Sequence, residues 1–388
     1  MQPVYLDHAA TTPLDGRVLE AMLPYLRERF GNPSSPHAVG REAAAAVDRA
    51  RDQVAAWVGG RAREVLFTSG GTEADNLALR GVLGALVPAG RDVLVISAVE
   101  HEAVRETARS LARTGVTVRE APVDEQGRVD LAALETLVDE RTALVSVLRV
   151  QNETGVVQDV AAVAAIAHRA GALCHTDAVA AAPAERPDAA AWGVDLLSLS
   201  GHKVYGPKGV GALWVREGVP LSPVLTGGGQ ERGRRPGTHD VAGIVGLGAA
   251  AALALAEGAA WAEHMRLLKE RLWCRVAAAG DAVRTGEGVA TSAHTLHVRF
   301  PGAPSDSVLI ALDAEGVAAS AGSACSAGAV GPSRILRAMG VSDEEARCGL
   351  RLTLGKDTTV EDVDRAGEAL VRAVEGVRRR RRVREAMA

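Results

Sequence analysis

Residues 198–208 read SLSGHKVYGPK and follow the run WGVDLL at 192–197. The apolar run predicts a strand entering a core, and the Gly, His and Lys behind it predict a polar turn at the strand's end. The chain has 40 arginines and only four lysines, yet Lys203 and Lys208 both fall in this stretch. Arginine keeps its proton inside a protein, whereas lysine can be tuned into an amine nucleophile. A strand that delivers such a lysine to its own end suits a site built along the edge of a sheet.

Working outward, short apolar runs alternate with helical periodicity. EVLFTS at 64–69 predicts a strand, and GTEADNLALRGVLGAL at 71–86 a helix with apolar positions three or four apart. DVLVISAVEH at 92–101 predicts a strand, and EAVRETARSLARTG at 102–115 a helix closed by Gly115. TALVSVLRV, ALCHTDAV, VDLLSLS and VGALWV predict further strands, with the helix VAAVAAIAHRAG between the first two. Such alternation predicts an α/β fold: a large domain whose mostly parallel sheet is covered by helices on both faces. In sheets of this kind ligands bind outside the carboxyl ends of the strands. The polar clusters SGGTEADN, EHEAV, QNETG, HTDA and SGHK all fall just after predicted strand ends. Beyond Val241 a long Ala-rich helical stretch leads into TLHVRF, SDSVLIALDAEG and CGLRLTLG, which predict a smaller α+β region ending in a helix from about Val360. The boundary falls near residue 255, inside the helical stretch, and no internal repeat is present.

The totals narrow the class. A chain of 388 residues with 47% hydrophobic residues and mixed charge predicts a globular protein of one large and one smaller domain. A net charge of −4 gives no basic field for nucleic acid. The arginine run at 378–382 reads as the solvated last turns of a helix, where cations suit the dipole. Four cysteines without a CxxC pair make neither a disulfide framework nor a zinc site, and the expectation is a reducing cytoplasm. The opening MQPVYLDHAATTP has acid and proline where a secretory signal would be basic and then apolar. The uncharged segment 241–256 is short of a bilayer span and predicts a buried helix rather than a membrane anchor.

Each polar cluster has two readings when taken singly. FTSGGTEADN ends a strand, turns on Gly70 and Gly71, and places Thr72 where a helix begins. That is an anion site suited to phosphate, or simply a glycine turn with a threonine cap. In HTDA, Asp177 follows an apolar strand with His175 on the same face. Asp177 could hold a protonated ring nitrogen or cap the next segment, and His175 could be a hydrogen-bonded core histidine. His101 and Asn152 follow two other strand ends and could be structural. Together with Lys203, these clusters supply a lysine for a Schiff base, an acid for a pyridine nitrogen and a phosphate cradle, the combination pyridoxal 5'-phosphate requires. SAGSACSAGAVGPS at 320–333 has no apolar periodicity and reads as a loop, on which Cys325 is either an incidental thiol or a nucleophile.

With these motifs on the page, the chain resembles the cysteine desulfurases, the NifS/IscS-like enzymes of the class V aminotransferase group. Agreement runs from YLDHAATTP through GNPSSPHAVG, FTSGGTEADNLAL, EHEAV, NETGVVQ, HTDA, SGHKVYGPKGVGAL, GGGQERGRRPGT and SAGSAC to LRLTLG, nearly the whole chain. The resemblance implies the type I fold of pyridoxal-phosphate enzymes, with a cofactor-binding domain at 13–255 and a small domain of 1–12 and 256–388 carrying Cys325. It implies Lys203 as the Schiff-base lysine, Asp177 as the partner of the pyridine nitrogen, and His101 as the group that stacks on the ring and moves protons. Gly71, Thr72, Ser200 and His202 would hold the phosphate, joined by Thr238 from the neighbouring subunit of a homodimer. Asn152 and Arg351 would bind the carboxylate of L-cysteine, and Cys325 would take the sulfur as a persulfide for a separate acceptor protein.

Departures from the family pattern are also present. Ala180 stands where a glutamine usually donates to the cofactor's phenolic oxygen, Arg149 and Gln151 fall where HVNN is usual, and Pro236 replaces a serine. They leave a specialised relative open, as a selenocysteine lyase or as a C–S lyase or aminotransferase on the same fold. A non-enzymatic sulfur-carrier scaffold fits poorly, because the reactive residues are all retained.

Overall fold

The computed structural model of the chain describes residues 3–322 and 331–387. Its first part comprises β1 (Val4–Tyr5), α1 (Gly16–Arg27), α2 (Ala38–Trp57), β2 (Val65–Thr68), α3 (Gly71–Leu86), β3 (Val93–Ser97), α4 (Glu102–Ala112) and β4 (Thr117–Ala121). The middle adds α5 (Leu131–Leu137), β5 (Thr142–Ser146), α6 (Val160–Arg169), β6 (Leu173–Asp177), α7 (Ala189–Trp192), β7 (Leu196–Ser200), β8 (Gly211–Val215) and α8 (Val241–Val276). The last part holds β9 (Val283–Arg284), β10 (Thr295–Arg299), α9 (Ser305–Ala314), β11 (Val317–Ala318), α10 (Arg334–Ala338), α11 (Asp343–Ala346), β12 (Gly349–Thr353) and α12 (Val360–Met387).

The seven-stranded sheet has the order β2-β8-β7-β6-β5-β3-β4. Only β8 runs against its neighbours, β2 and β7. The other six strands therefore end on one edge, at Thr68, Ser97, Ala121, Ser146, Asp177 and Ser200, which is why the polar clusters of the sequence meet. Every residue of β2, β3, β5, β7 and β8 is buried, as expected of a sheet covered on both faces. β4, TVREA, is the exception and the strand that periodicity missed; it lies at the sheet's edge with Thr117 and Glu120 exposed.

The uncharged segment at 241–256 is the first half of α8, a helix of 36 residues that continues into the charged stretch without a break. By length and composition Val241–Ala279 could cross a membrane, but half of its most apolar window is buried inside the fold. It packs on α1, α2 and α12. Small residues permit the approach: a Cβ on Gly248 would stand 2.7 Å from Ala50, and one on Gly246 would meet Met22 of α1 and Pro207 of the SGHKVYGPK turn. The long helix thus presses directly on the segment that carries Lys203.

Two small sheets complete the fold. β9, β10 and β12 form an antiparallel set, and β1 pairs in parallel with β11. Bridges from Asp7 to Thr353 and from Ser320 to Arg351 tie the N-terminal segment and the chain after β11 to β12.

Candidate active site

β7 ends at Ser200, and the chain turns through a short helical segment, Gly201–Lys203, into the sheet-edge opening. Tyr205, two residues on, has φ 61°, an uncommon conformation for a bulky residue. Its backbone N–H donates to Thr12 Oγ1 at 2.8 Å, and its hydroxyl accepts from the Lys356 N–H at 2.7 Å. The lysine is aimed by this turn: its Nζ donates to the carbonyl oxygens of Ala9 and Ala10, the latter at 3.1 Å. Gly206 packs on the Gly201 carbonyl too tightly for a side chain, since a Cβ there would stand 2.8 Å from that oxygen.

Lys203 opens on a cavity of about 400 Å³. Asp177 and His101 line it, as do Gly71, Thr72, Ser200 and His202, with Asn152 and Arg351 on the remaining side. Nine of the eleven expected site residues therefore share one space. Asp177, at the end of β6, accepts from the Val179 N–H at 2.9 Å, so it caps the turn that follows while also lining the cavity. Burial pushes its pKa up, and the Val179 N–H and the nearby charge of Lys203 offset this only in part. His101 caps α4, its Nδ1 accepting from the Ala103 N–H at 3.1 Å. The partner histidine of the HTDA motif is a core residue instead: His175 is wholly buried, bonded to Ser146 Oγ at 2.8 Å and Ser198 Oγ at 3.0 Å, with a pKa pushed down to about 3 by desolvation.

At the opposite end, an adjoining recess of about 410 Å³ shares Gly71, Thr72, Ser200 and His202 with this cavity and adds Lys208. Here the structure corrects the cap reading of Thr72. Gly70 is the N-cap of α3, with no side-chain capping bond, and Thr72 is the helix's second residue. The first N–H groups of α3 therefore have no side-chain cap, in the positive field of a 16-residue helix. Gly70 has φ 155° and ψ −178°, and β8 approaches so closely that a Cβ on Gly211 would lie 2.7 Å from Gly70 Cα. Only glycines fit on both sides of this contact. His202 is pushed down to about 4 by burial and by the charges of Lys203 and Lys208, so at neutral pH it offers a neutral ring to an anion.

Arg351 comes from the middle of β12. One guanidinium nitrogen donates to the Asn152 carbonyl at 2.8 Å and another to Asp7 Oδ1 at 2.9 Å, while Nε is buried without a hydrogen-bond partner among the described residues. Ala180 lines the cavity too and brings no polar side-chain atom. Two expected residues stand apart. Thr238 is exposed and does not line the cavity, although Arg235 of the same stretch pairs with Glu73 of α3 at 2.7 Å. Cys325 lies outside the described residues; Gly322, three positions before it, lines the cavity.

Sequence reading missed Asp75, a buried acid four residues into α3 that also lines the cavity. A charged residue set among the buried Ala74, Leu77 and Ala78 was the available signal. It missed the carbonyls of Ala9 and Ala10 because backbone groups leave no mark in a sequence.

The cavity's dimensions and donors fit pyridoxal phosphate: an amine, a buried acid at one end and an uncapped helix start with a glycine contact at the other. Comparisons with known proteins agree. The aminotransferase class-V family profile matches residues 4–366. A cysteine desulfurase of Cereibacter sphaeroides is 45% identical over 383 residues, 97% of each chain. Cysteine desulfurase IscS 1 of Archaeoglobus fulgidus is 41% identical over 374 residues, 96% of this chain and 97% of its own. A solved NifS-like protein superposes with a TM-score of 0.90 at 36% identity, covering 96% of this chain and all of that one.

Proposed function

The chain belongs to the class-V aminotransferase family, and we propose that the cavity beside Lys203 is where it takes sulfur from L-cysteine. It is a pyridoxal-phosphate-dependent cysteine desulfurase, which converts L-cysteine to L-alanine and passes the sulfur to an acceptor. What carries the reading of the site is the convergence of Lys203, Asp177, Arg351 and the uncapped start of α3 on one space at the sheet edge.

In this reading Lys203 holds the cofactor, Asp177 faces its ring nitrogen, and His101 lies against the ring. Gly71, Thr72, Ser200 and His202 receive the phosphate. Bound there, pyridoxal phosphate supplies an electron sink for the substrate's Cα. The freed amine of Lys203 moves the Cα proton, while Arg351 and Asn152 hold the substrate carboxylate. The Cys325 thiolate then attacks the substrate sulfur: an S–S bond forms as the Cβ–S bond breaks. The electron pair stays with the carbon skeleton, which takes up a proton and leaves as L-alanine, and Cys325 is left as a persulfide.

Incubating the protein with pyridoxal phosphate and L-cysteine should give L-alanine, with one sulfur on Cys325 per alanine before any thiol is added. Pyruvate in place of alanine would exclude the desulfurase reading, and selenide released from selenocysteine far faster than sulfide from cysteine would assign the substrate to selenium.

Three further expectations attach to this reading. The partition into a cofactor domain at 13–255 and a small domain of 1–12 and 256–388 is supported by the separate small sheets, with α8 running through the join. The thiols of Cys174, Cys274 and Cys348 are free, which suits a cytoplasmic site of action. Thr238 serves the phosphate site of a second copy; its exposure and the anchoring of Arg235 beside Thr72 support this. Thr238→Ala should then weaken cofactor retention without changing the dimer seen by light scattering. A monomer that retains the cofactor as tightly as the parent would refute the shared site.

A further inference from the structure

Two buried carboxyls line the cavity near His101 and a third, Glu100, is buried close by; the reading above uses one of them. Asp75 comes from α3, Glu100 from the residue before His101, and Asp177 from the end of β6. Asp75 and Glu100 are each 1% exposed and Asp177 is 6% exposed. One ligating atom from each of Asp75, His101 and Asp177 lies within 4.8 Å of the other two. Two buried carboxyls so close disfavour each other's ionisation, so that one of them is pushed toward its neutral form. The geometry decides which of them keeps a proton.

Asp177 has support for a negative charge: the Val179 N–H bonds its Oδ1, and the charge of Lys203 favours its ionised form. Asp75 has almost none. Its Oδ1 has no hydrogen-bond partner among the described residues. The ring nitrogen His175 Nε2 is 3.7 Å away, on an imidazole that desolvation keeps neutral and that Ser146 and Ser198 already bond. The Ser198 hydroxyl is the one group that favours the charged form of Asp75, against burial and the charge of Asp177. Glu100, packed behind, accepts from Ser97 Oγ and the Leu148 N–H on one oxygen and leaves the other without a partner; burial pushes it up to about 8.

We propose that Asp75 is a neutral carboxylic acid in the working enzyme, a positioning residue that backs Asp177 so that the negative charge stands at the cavity wall facing the cofactor's ring nitrogen. The proposal rests on the desulfurase reading only in taking Asp177 as the cofactor's partner. A carboxylate at Asp75 would compete with Asp177 for the proton of that pairing and set a second buried charge supported by a single hydroxyl, that of Ser198. As an acid, Asp75 leaves Asp177 free to ionise.

Infrared spectroscopy of the holoenzyme at neutral pH in deuterated buffer tests this directly, because a protonated carboxyl has a carbonyl stretch that a carboxylate lacks. The parent should show such a band, and Asp75→Asn should lose part of it. The amide is a neutral mimic of the acid, so this variant should bind pyridoxal phosphate within about threefold of the parent. Asp177→Asn should bind it roughly a hundredfold more weakly, the scale expected on losing one partner of a buried charge pair. Should Asp75→Asn fail to fold, Ser198→Ala removes the hydroxyl facing Asp75 and should shift the same band. An unchanged band in Asp75→Asn, an unmoved one in Ser198→Ala, or cofactor loss in Asp75→Asn matching that of Asp177→Asn would overturn the proposal. The band is read without turnover, so a failure here is separate from a failure to make alanine.

Discussion

Cys325→Ala should lose alanine formation by on the order of a thousandfold or more, the scale for removing a covalent nucleophile, while still binding pyridoxal phosphate and L-cysteine. The two halves of that result come from different parts of the molecule. Cofactor and substrate are handled by Lys203, Asp177 and Arg351, which are fixed by β7, β6 and β12. Cys325→Ala removes a single sulfur atom and leaves those three residues unchanged. Quantifying alanine alongside the cofactor's visible spectrum separates the two effects. Cys274→Ala, an exposed thiol on α8, should retain activity. So should Cys174→Ala if it folds, because burial pushes that thiol's pKa up and keeps it unreactive. If Cys325→Ala releases sulfide and pyruvate at the parent's rate, the protein eliminates sulfur and does not transfer it.

Lys203→Ala should be equally damaging, since one amine both holds the cofactor and moves the substrate's proton; a loss of about a thousandfold or more follows from removing both roles. Lys203→Arg should not rescue it, because a guanidinium cannot give up its proton to become a base. Borohydride reduction of the parent followed by peptide mass analysis should place the cofactor on the peptide containing Lys203. The other lysines are committed elsewhere. Lys269 is buried in α8 with its pKa down to about 8, but its Nζ is held by Thr291 Oγ1 and the Ser292 carbonyl. Lys356 is paired with Asp15 at 2.9 Å. Lys208 reaches the recess at the phosphate end rather than the main cavity. An adduct on any of these three would displace the site.

The fold was legible where its strands are uniformly apolar, because a strand buried on both faces has nothing else to be. β4 escaped for the converse reason: TVREA lies at an edge, and its polar residues face water. The site was legible where a residue type is rare or tied to a strand end, as with Lys203 in a chain that otherwise prefers arginine and with Asp177 after β6. His175 looked similar by spacing and proved to be core, since period-two alternation fixes a face but not whether that face is lined by cavity or by Ser146 and Ser198. Asp75 was hidden inside a helix pattern. Its meaning depends on β6 and α3 meeting, which no local window of sequence contains.

The first dozen residues have a consequence for how the molecule is made. Asp7 pairs with Arg351 across 344 positions of chain, β1 pairs with β11, and the carbonyls of Ala9 and Ala10 receive the amine of Lys203. This segment is translated long before its partners on β11 and β12, so it can find its place only after they have been made. Closing so large a loop costs entropy that only the finished small sheets offset. Until then the lysine lacks its two carbonyl acceptors and the arginine its acidic partner. A chain that stops short of β12 therefore lacks Arg351 and leaves Asp7 without that partner, so the substrate side of the pocket is completed only when the two ends of the fold meet.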